Sequence, residues 1–260
     1  MSRIIAVANQ KGGVGKTTTA VNLAACLAKA GKKVLLVDMD PQGNATSGIG
    51  IDKRRCENTV YDCLINEMPM KDVVINTQYD GLDLCPSSLD LSGAEIELIS
   101  VMGREHRLKD SLGALADEYD FVLIDAPPSL GLITINILTA AHSVLIPIQC
   151  EFYALEGVSQ LIETIKKIRK ALNPSLFVEG IVMTMYDART NLAVQVVDEV
   201  KRFFPKKVYT TVIPRNVRLS EAPGFGRPVI YYDEASSGAQ AYTELSEEVI
   251  QSENKEEADT

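Results

Sequence analysis

Seven apolar runs punctuate the chain, near 4–8, 33–38, 82–85, 120–125, 143–148, 178–184 and 208–213. The clearest are continuous rather than alternating, as in Ile4-Ile5-Ala6-Val7-Ala8 and Phe121-Val122-Leu123-Ile124. A strand that is apolar at every position is covered on both faces, as in a parallel sheet. Between the runs, apolar residues return every three or four positions near 17–30, 89–100, 104–118, 154–172, 190–204 and 238–251. That spacing gathers them on one face of a helix. Gly31, ahead of Lys32-Lys33, stands where a helix-ending glycine belongs. The alternation predicts an α/β fold, a doubly wound, largely parallel sheet flanked by helices and joined by right-handed crossovers. There is no internal repeat and no domain boundary. Residues 1–252 are expected to form one domain, followed by an acidic, disordered tail over 253–260. Residues 50–87 read as an irregular insertion with short helices.

The first strand runs into Gln10-Lys11-Gly12-Gly13-Val14-Gly15-Lys16-Thr17-Thr18 and then into a helical pattern. Strand, glycine-rich loop and helix is the context of a phosphate-binding loop. Gly12, Gly13 and Gly15 permit positive φ, so successive backbone N–H groups of the loop, Val14 and Thr18 included, can line one concavity. The helix N-terminus adds unsatisfied N–H groups and the positive end of its dipole. Lys16 is placed to reach terminal phosphates, and the Thr17 hydroxyl to hold Mg²⁺. The pattern departs from G-x-x-x-x-G-K-[ST] at its first position, which is Gln10, and gains a second lysine, Lys11.

Two other runs end in acids: Val34 to Val37 leads into Asp38-Met39-Asp40-Pro41-Gln42-Gly43-Asn44, and Phe121 to Ile124 into Asp125-Ala126-Pro127-Pro128. In such sheets the ligand crevice lies at the carboxyl ends of the strands, where these acids fall. One acid there would read as a turn cap; three beside a phosphate loop read as a metal and water site.

K-G-G-x-G-K-[ST]-[ST] with its extra lysine resembles the deviant phosphate loop of the ParA/MinD group of P-loop NTPases. D-x-D-P-Q-G-N and D-x-P-P are similar to that group's second and third motifs. Nearly the whole chain resembles the ParA/Soj partition ATPases, most specifically Tyr153-Ala154-Leu155-Glu156-Gly157 and Ile213-Pro214-Arg215-Asn216-Val217-Arg218-Leu219. The resemblance implies ATP and Mg²⁺ as ligands, with Lys11 reaching across a sandwich homodimer to phosphates on the other subunit. It implies Asp125 and Thr17 at the metal, with Asp38 supporting them, Asp40 at the attacking water, and Pro214 and Asn216 near the adenine. Arg189 and Arg218 match positions the family uses for non-specific DNA binding. A ParB-type centromere-binding protein is the implied partner, and the cytoplasm, on the nucleoid, the implied location.

Composition narrows the alternatives. The chain has 260 residues, 46% of them apolar, enough for a substantial core. No apolar run approaches the length of a membrane span, and Met1-Ser2-Arg3 leads straight into the first strand, which argues against a signal peptide. Five scattered cysteines without a C-x-x-C pair read as reduced thiols, and two histidines make a transition-metal site improbable. Net charge is −9, yet residues 160–230 hold twelve basic against six acidic residues, a net +6 that leaves −15 elsewhere. Alone, that asymmetry reads as solvated helix faces; with the resemblance it reads as a DNA footprint. A MinD-like membrane ATPase would end in a basic amphipathic helix, whereas this chain ends in acids. A nitrogenase-type reductase would place its cysteines elsewhere, and a dethiobiotin synthetase would lack Lys11. A nucleotide-gated scaffold with little turnover is the remaining alternative of another class.

Overall fold

The computed structural model describes residues 2–151 and 154–258, with side chains excluded for 154–157 and 253–258. The motif Tyr153–Gly157 and the acidic tail 253–260 therefore fall outside the residues described in full. The strands are β1 (Arg3–Val7), β2 (Val34–Asp38), β3 (Ile75–Asn76), β4 (Leu82–Cys85), β5 (Phe121–Asp125), β6 (Ser143–Gln149), β7 (Phe177–Tyr186) and β8 (Val208–Pro214). They form one sheet in the order β3-β4-β2-β5-β1-β6-β7-β8, parallel throughout except for the short β3–β4 pair. The chain leaves β1 toward one side of the sheet and later returns to build the other. The crevice beyond the carboxyl end of β1 is thus the topological switch point.

The helices are α1 (Lys16–Lys29), α2 (Asn44–Gly48), α3 (Val60–Ile65), α4 (Leu91–Glu97), α5 (Arg107–Leu112), α6 (Leu132–Ala140), α7 (Ala154–Ala171), α8 (Asn191–Phe203), α9 (Val217–Glu221), α10 (Val229–Tyr232) and α11 (Ser237–Ala258). Alternate residues of β1 serve opposite layers. Ile4 and Ala6 pack with α3 to α8, while Ile5 and Val7 pack with α1, α10 and α11. Helix α7 shows the sequence logic plainly, since Val158, Leu161, Ile165 and Ile168 recur at helical spacing and are all buried. Helix α1 ends as its sequence implies. Gly31 takes φ +85°, Lys32 N donates to Leu27 O and Gly31 N to Ala28 O, which is a Schellman closure.

Three regions differ from the sequence expectation. Helix α6 has no polar stripe to give it a period, because Ile133, Thr134, Asn136, Ile137 and Leu138 are all buried. The patterns at 89–100 and 104–118 each form a short α-helix that tightens into a 3₁₀ turn, over Leu98–Ser100 and Gly113–Glu118. The insertion, in contrast, holds a short helix as expected: α3, started by a capping box in which Thr59 and Asp62 satisfy each other's backbone N–H groups.

Candidate nucleotide site

The loop after β1 is fixed at both ends by groups distant in sequence. Asn9 Nδ2 donates to Pro147 O at 2.8 Å and its Oδ1 accepts from Lys11 N at 3.1 Å. At the other end Thr184 Oγ1, on β7, donates to Val14 O at 2.8 Å. Gly13 and Gly15 take φ of +74° and +88°, whereas Gly12 does not enter the left-handed region. Gly15 is the N-cap of α1 and no side chain caps that helix, so its first-turn N–H groups face the loop uncommitted.

The two lysines of the loop behave differently. Lys16 is only 7% exposed, and its Nζ donates to Lys11 O at 3.0 Å, folding the side chain over the loop. Burial lowers its pKa, and the charges of Asp125 and Asp40 oppose that shift. Lys11 points away from the loop: its ammonium forms an ion pair with Glu151, just past β6, with both side chains about one-third exposed.

The three acids converge beside Lys16 and are not equivalent. Asp38 is wholly buried. Its Oδ2 accepts from Thr46 N and Thr46 Oγ1, both at 2.7 Å, and its Oδ1 from Asp40 N at 3.2 Å. Burial still pushes its pKa up to about 6, against those hydrogen bonds. Asp40 lies at the turn, where Oδ1 accepts from Gln42 N at 2.9 Å. Asp125 is wholly buried, and among the described residues no group meets either of its oxygens at good hydrogen-bond geometry, the Thr17 hydroxyl being nearby. Burial pushes its pKa well above the usual carboxylate range, and the neighbouring Asp38 adds to the shift. The Thr17 hydroxyl and, more weakly, the Lys16 ammonium oppose it. Two buried carboxylate oxygens beside a threonine hydroxyl fit a hard divalent cation, which takes oxygen ligands. The oxygens of Asp38 are already committed to protein donors.

A cavity of about 370 Å³ opens beside the loop, lined by Gly15, Thr18, Thr184, Met185, Pro214 and Asn216 among others. Asn216 is tied down within it. Its Oδ1 caps α9 by accepting from Arg218 N at 2.8 Å, and its Nδ2 donates to Ser237 Oγ at 2.8 Å.

Arg189 and Arg218 follow the carboxyl ends of the adjacent strands β7 and β8. The Arg189 side chain is 87% exposed and paired with Asp187 at 2.7 Å. Arg218 is half-exposed and paired with Glu221 at 2.8 Å and Asp233 at 3.0 Å.

Thr184, Thr46 and Glu151 are the site residues that sequence reasoning missed. Each lies in a stretch that resembles the family, yet none belongs to the phosphate-loop, D-x-D-P-Q-G-N or D-x-P-P motif, and each meets the loop or its acids only through the fold.

Comparison with known proteins agrees with this geometry. The AAA domain family matches residues 2–178. The sporulation initiation inhibitor protein Soj of Bacillus subtilis is 58% identical over 249 residues, covering 96% of this chain and 98% of that protein. The chromosome partitioning protein ParA of Myxococcus xanthus is 54% identical over 96% of this chain and 88% of that protein. Among solved structures, a protein described as cobyrinic acid a,c-diamide synthase from Mycobacterium smegmatis, with bound ADP and magnesium, superimposes with a TM-score of 0.85. It is 38% identical, over 96% of this chain and 95% of that one. The Pyrococcus furiosus cell division ATPase MinD superimposes with a TM-score of 0.80 at 28% identity, over 96% of this chain and 99% of that one. The fold neighbours carry differing names, whereas these two sequence relatives match over nearly the full length of this chain. The chain belongs to the ParA/Soj family of chromosome-partitioning ATPases.

Proposed function

We propose that this chain couples ATP hydrolysis to reversible DNA binding in chromosome or plasmid partition. The observation that carries the proposal is the division of labour between the two lysines. Lys16 is buried in its own loop, and Lys11 is ion-paired with Glu151, past the end of β6. A lysine that does not serve its own loop is available to a second subunit, so ATP closes a homodimer with Lys11 engaging phosphates across the seam.

Within each subunit, Lys16 and the N–H groups of the Gly13–Thr18 turn neutralise the phosphates. A bound Mg²⁺ would supply positive charge to offset that of the phosphates. Asp125 and Thr17 would hold it. Asp38 fixes the Asp40 turn through Thr46 and the Asp40 N–H, and so supports the metal acids indirectly. Asp40 orients the attacking water and receives its proton as the β–γ bond breaks to ADP and phosphate. Pro214 packs against the adenine in the adjoining cavity, and Asn216 holds that wall in place. Arg189 and Arg218 meet DNA phosphates without reading sequence. A ParB-type partner accelerates hydrolysis and thereby releases the dimer, with the protein working in the cytoplasm on the nucleoid. No helix among the described residues is long and apolar enough to cross a membrane.

DNA co-sedimentation with ATP, ADP or no nucleotide tests the scheme. ATP alone should carry the protein down with DNA of any sequence, and Lys11→Ala should bind ATP yet stay monomeric and in the supernatant. Equal co-sedimentation in all three states, or an ATP dimer of normal size in the Lys11 variant, overturns it.

A further inference from the structure

Helix α4 is apolar on two sides. Leu91, Ala94 and Leu98 are buried, as the inner stripe of a surface helix should be. The outer stripe should be polar, but Leu89, Ile96 and Ile99 lie there, 64%, 74% and 62% exposed, at helical spacings of seven and three. Hydrogen bonds from Leu91 N to Ser88 O and from Ser92 N to Leu89 O extend the helical backbone to include Leu89. Met102, 94% exposed, continues the ridge. It also forms the lip of a cavity of about 560 Å³ lined by Glu67, His106, Arg107 and Asp110. A run of exposed large apolar side chains beside a cavity marks a contact surface rather than scattered surface residues.

Charge selects the occupant. Glu97 accepts a hydrogen bond from the Tyr61 hydroxyl at 2.9 Å, and Asp90 and Asp62 lie close enough to help raise that phenol's pKa. Glu95 Oε1 is buried without a partner. The guanidinium groups nearby are already engaged, Arg104 with Glu105 and Arg107 with Glu67. We propose that the ridge of Leu89, Ile96, Ile99 and Met102 docks a basic, amphipathic segment of the protein that stimulates hydrolysis. A second copy of this chain fits less well, since an isologous contact would set the same acids against each other. The proposal rests on the partner-stimulated cycle above and adds to it a place of contact.

The ridge is joined to the nucleotide site. The Glu95 carboxylate lies so close to Gly131, in the segment after Asp125, that a Cβ there would collide with it. At the other end Asn136, on α6, accepts from Leu108 N at 3.2 Å and donates to Arg104 O at 2.8 Å. A segment seated on the ridge therefore bears on α6 and the turn before it, which follow Asp125 in the chain.

The test is ATP turnover by the full chain, titrated with its ParB-type partner on centromere DNA. Ile96→Glu/Ile99→Glu should raise the partner concentration for half-stimulation about ten-fold or more, the equivalent of about 1.4 kcal/mol. Unstimulated turnover, the ATP dimer and DNA co-sedimentation should be unchanged. Asp90→Lys/Glu97→Lys should weaken stimulation in the same direction, most at low salt. Stimulation of the Ile96/Ile99 variant at wild-type partner concentrations overturns the proposal. So does loss of its ATP dimer in light scattering, which would assign the ridge to a second copy. A partner that fails to stimulate the unaltered protein refutes the underlying cycle before any variant is made, and removes the occupant with it.

Discussion

The middle of the sheet and its β7–β8 edge hold their charges in opposite ways. At the carboxyl ends of β1, β2 and β5, Lys16, Asp38 and Asp125 are at least nine-tenths buried, and burial moves the protonation of each away from its ordinary value. At the ends of β7 and β8, Arg189 and Arg218 stand in solvent, each leashed by an acid a few residues away. A buried charge is individually indispensable, because low dielectric amplifies each interaction and nothing else replaces it. An exposed charge is screened within about a Debye length, ~8 Å at physiological salt, and matters mainly in sum. The proposed function accordingly assigns catalysis to the middle of the sheet and adjustable, sequence-blind binding to its edge.

The contrast breaks most visibly at Lys16. Lys16→Ala should reduce turnover roughly a hundred-fold or more and abolish the ATP dimer, since it removes the charge that meets the terminal phosphates. Normal hydrolysis in that variant would make Lys16 structural. Asp40→Ala should slow hydrolysis about a hundred-fold while Mg²⁺-ATP still binds, leaving the dimer trapped on DNA. Failure of calorimetry to detect Mg²⁺-ATP binding would move Asp40 to the metal or to folding.

The exposed edge should respond by degrees. Arg189→Glu/Arg218→Glu should weaken all DNA sequences alike and lower the salt dependence of binding by about one unit in slope per lost phosphate contact. The ATP dimer should survive, and wild-type affinity with Mg²⁺-ATP at moderate salt would remove both residues from the DNA surface.

The smallest effect concerns stability. Asp125 is an acid whose pKa is raised by folding, so the native chain holds a proton that the unfolded chain releases. Wild-type stability should therefore fall as pH rises from the ordinary carboxylate value, about 3.9, through the raised one. Asp125→Asn should remove that fall and stabilise the nucleotide-free protein by about 1–3 kcal/mol at pH 8. The gain should vanish on acidification below about pH 4, and a pH-independent difference in thermal unfolding would show that the carboxylate is not the cause. The same variant should lose Mg²⁺-dependent turnover.

What could be read from the sequence follows the same division. Strands β1, β2 and β5 announce themselves because both their faces are buried, and the loop and its acids because phosphate chemistry confines residue type and spacing. Helix α6 escaped because a helix buried all round carries no period. The role of Thr46 was hidden because its donors find Asp38 through the turn of α2. Thr184 and Glu151 were hidden because β7 and the end of β6 reach the loop only once the sheet has assembled. The apolar ridge on α4 contributed to a helical period without showing which of its stripes faces outward.

The position of β1 has a consequence for biosynthesis. β1 leaves the ribosome well before its neighbours, yet it sits in the middle of the sheet, pairing Ile5 with Leu123 of β5 and with Ser143 of β6. The phosphate loop that follows is pinned by Pro147 and Thr184. At ordinary elongation rates that support arrives on the order of ten seconds after the loop itself. Until then Ile4, Ile5 and Val7 have no sheet to enter. The nascent chain needs protection at β1 until then, and a fragment ending before β6 would hold the nucleotide motif yet lack the framework that gives it shape.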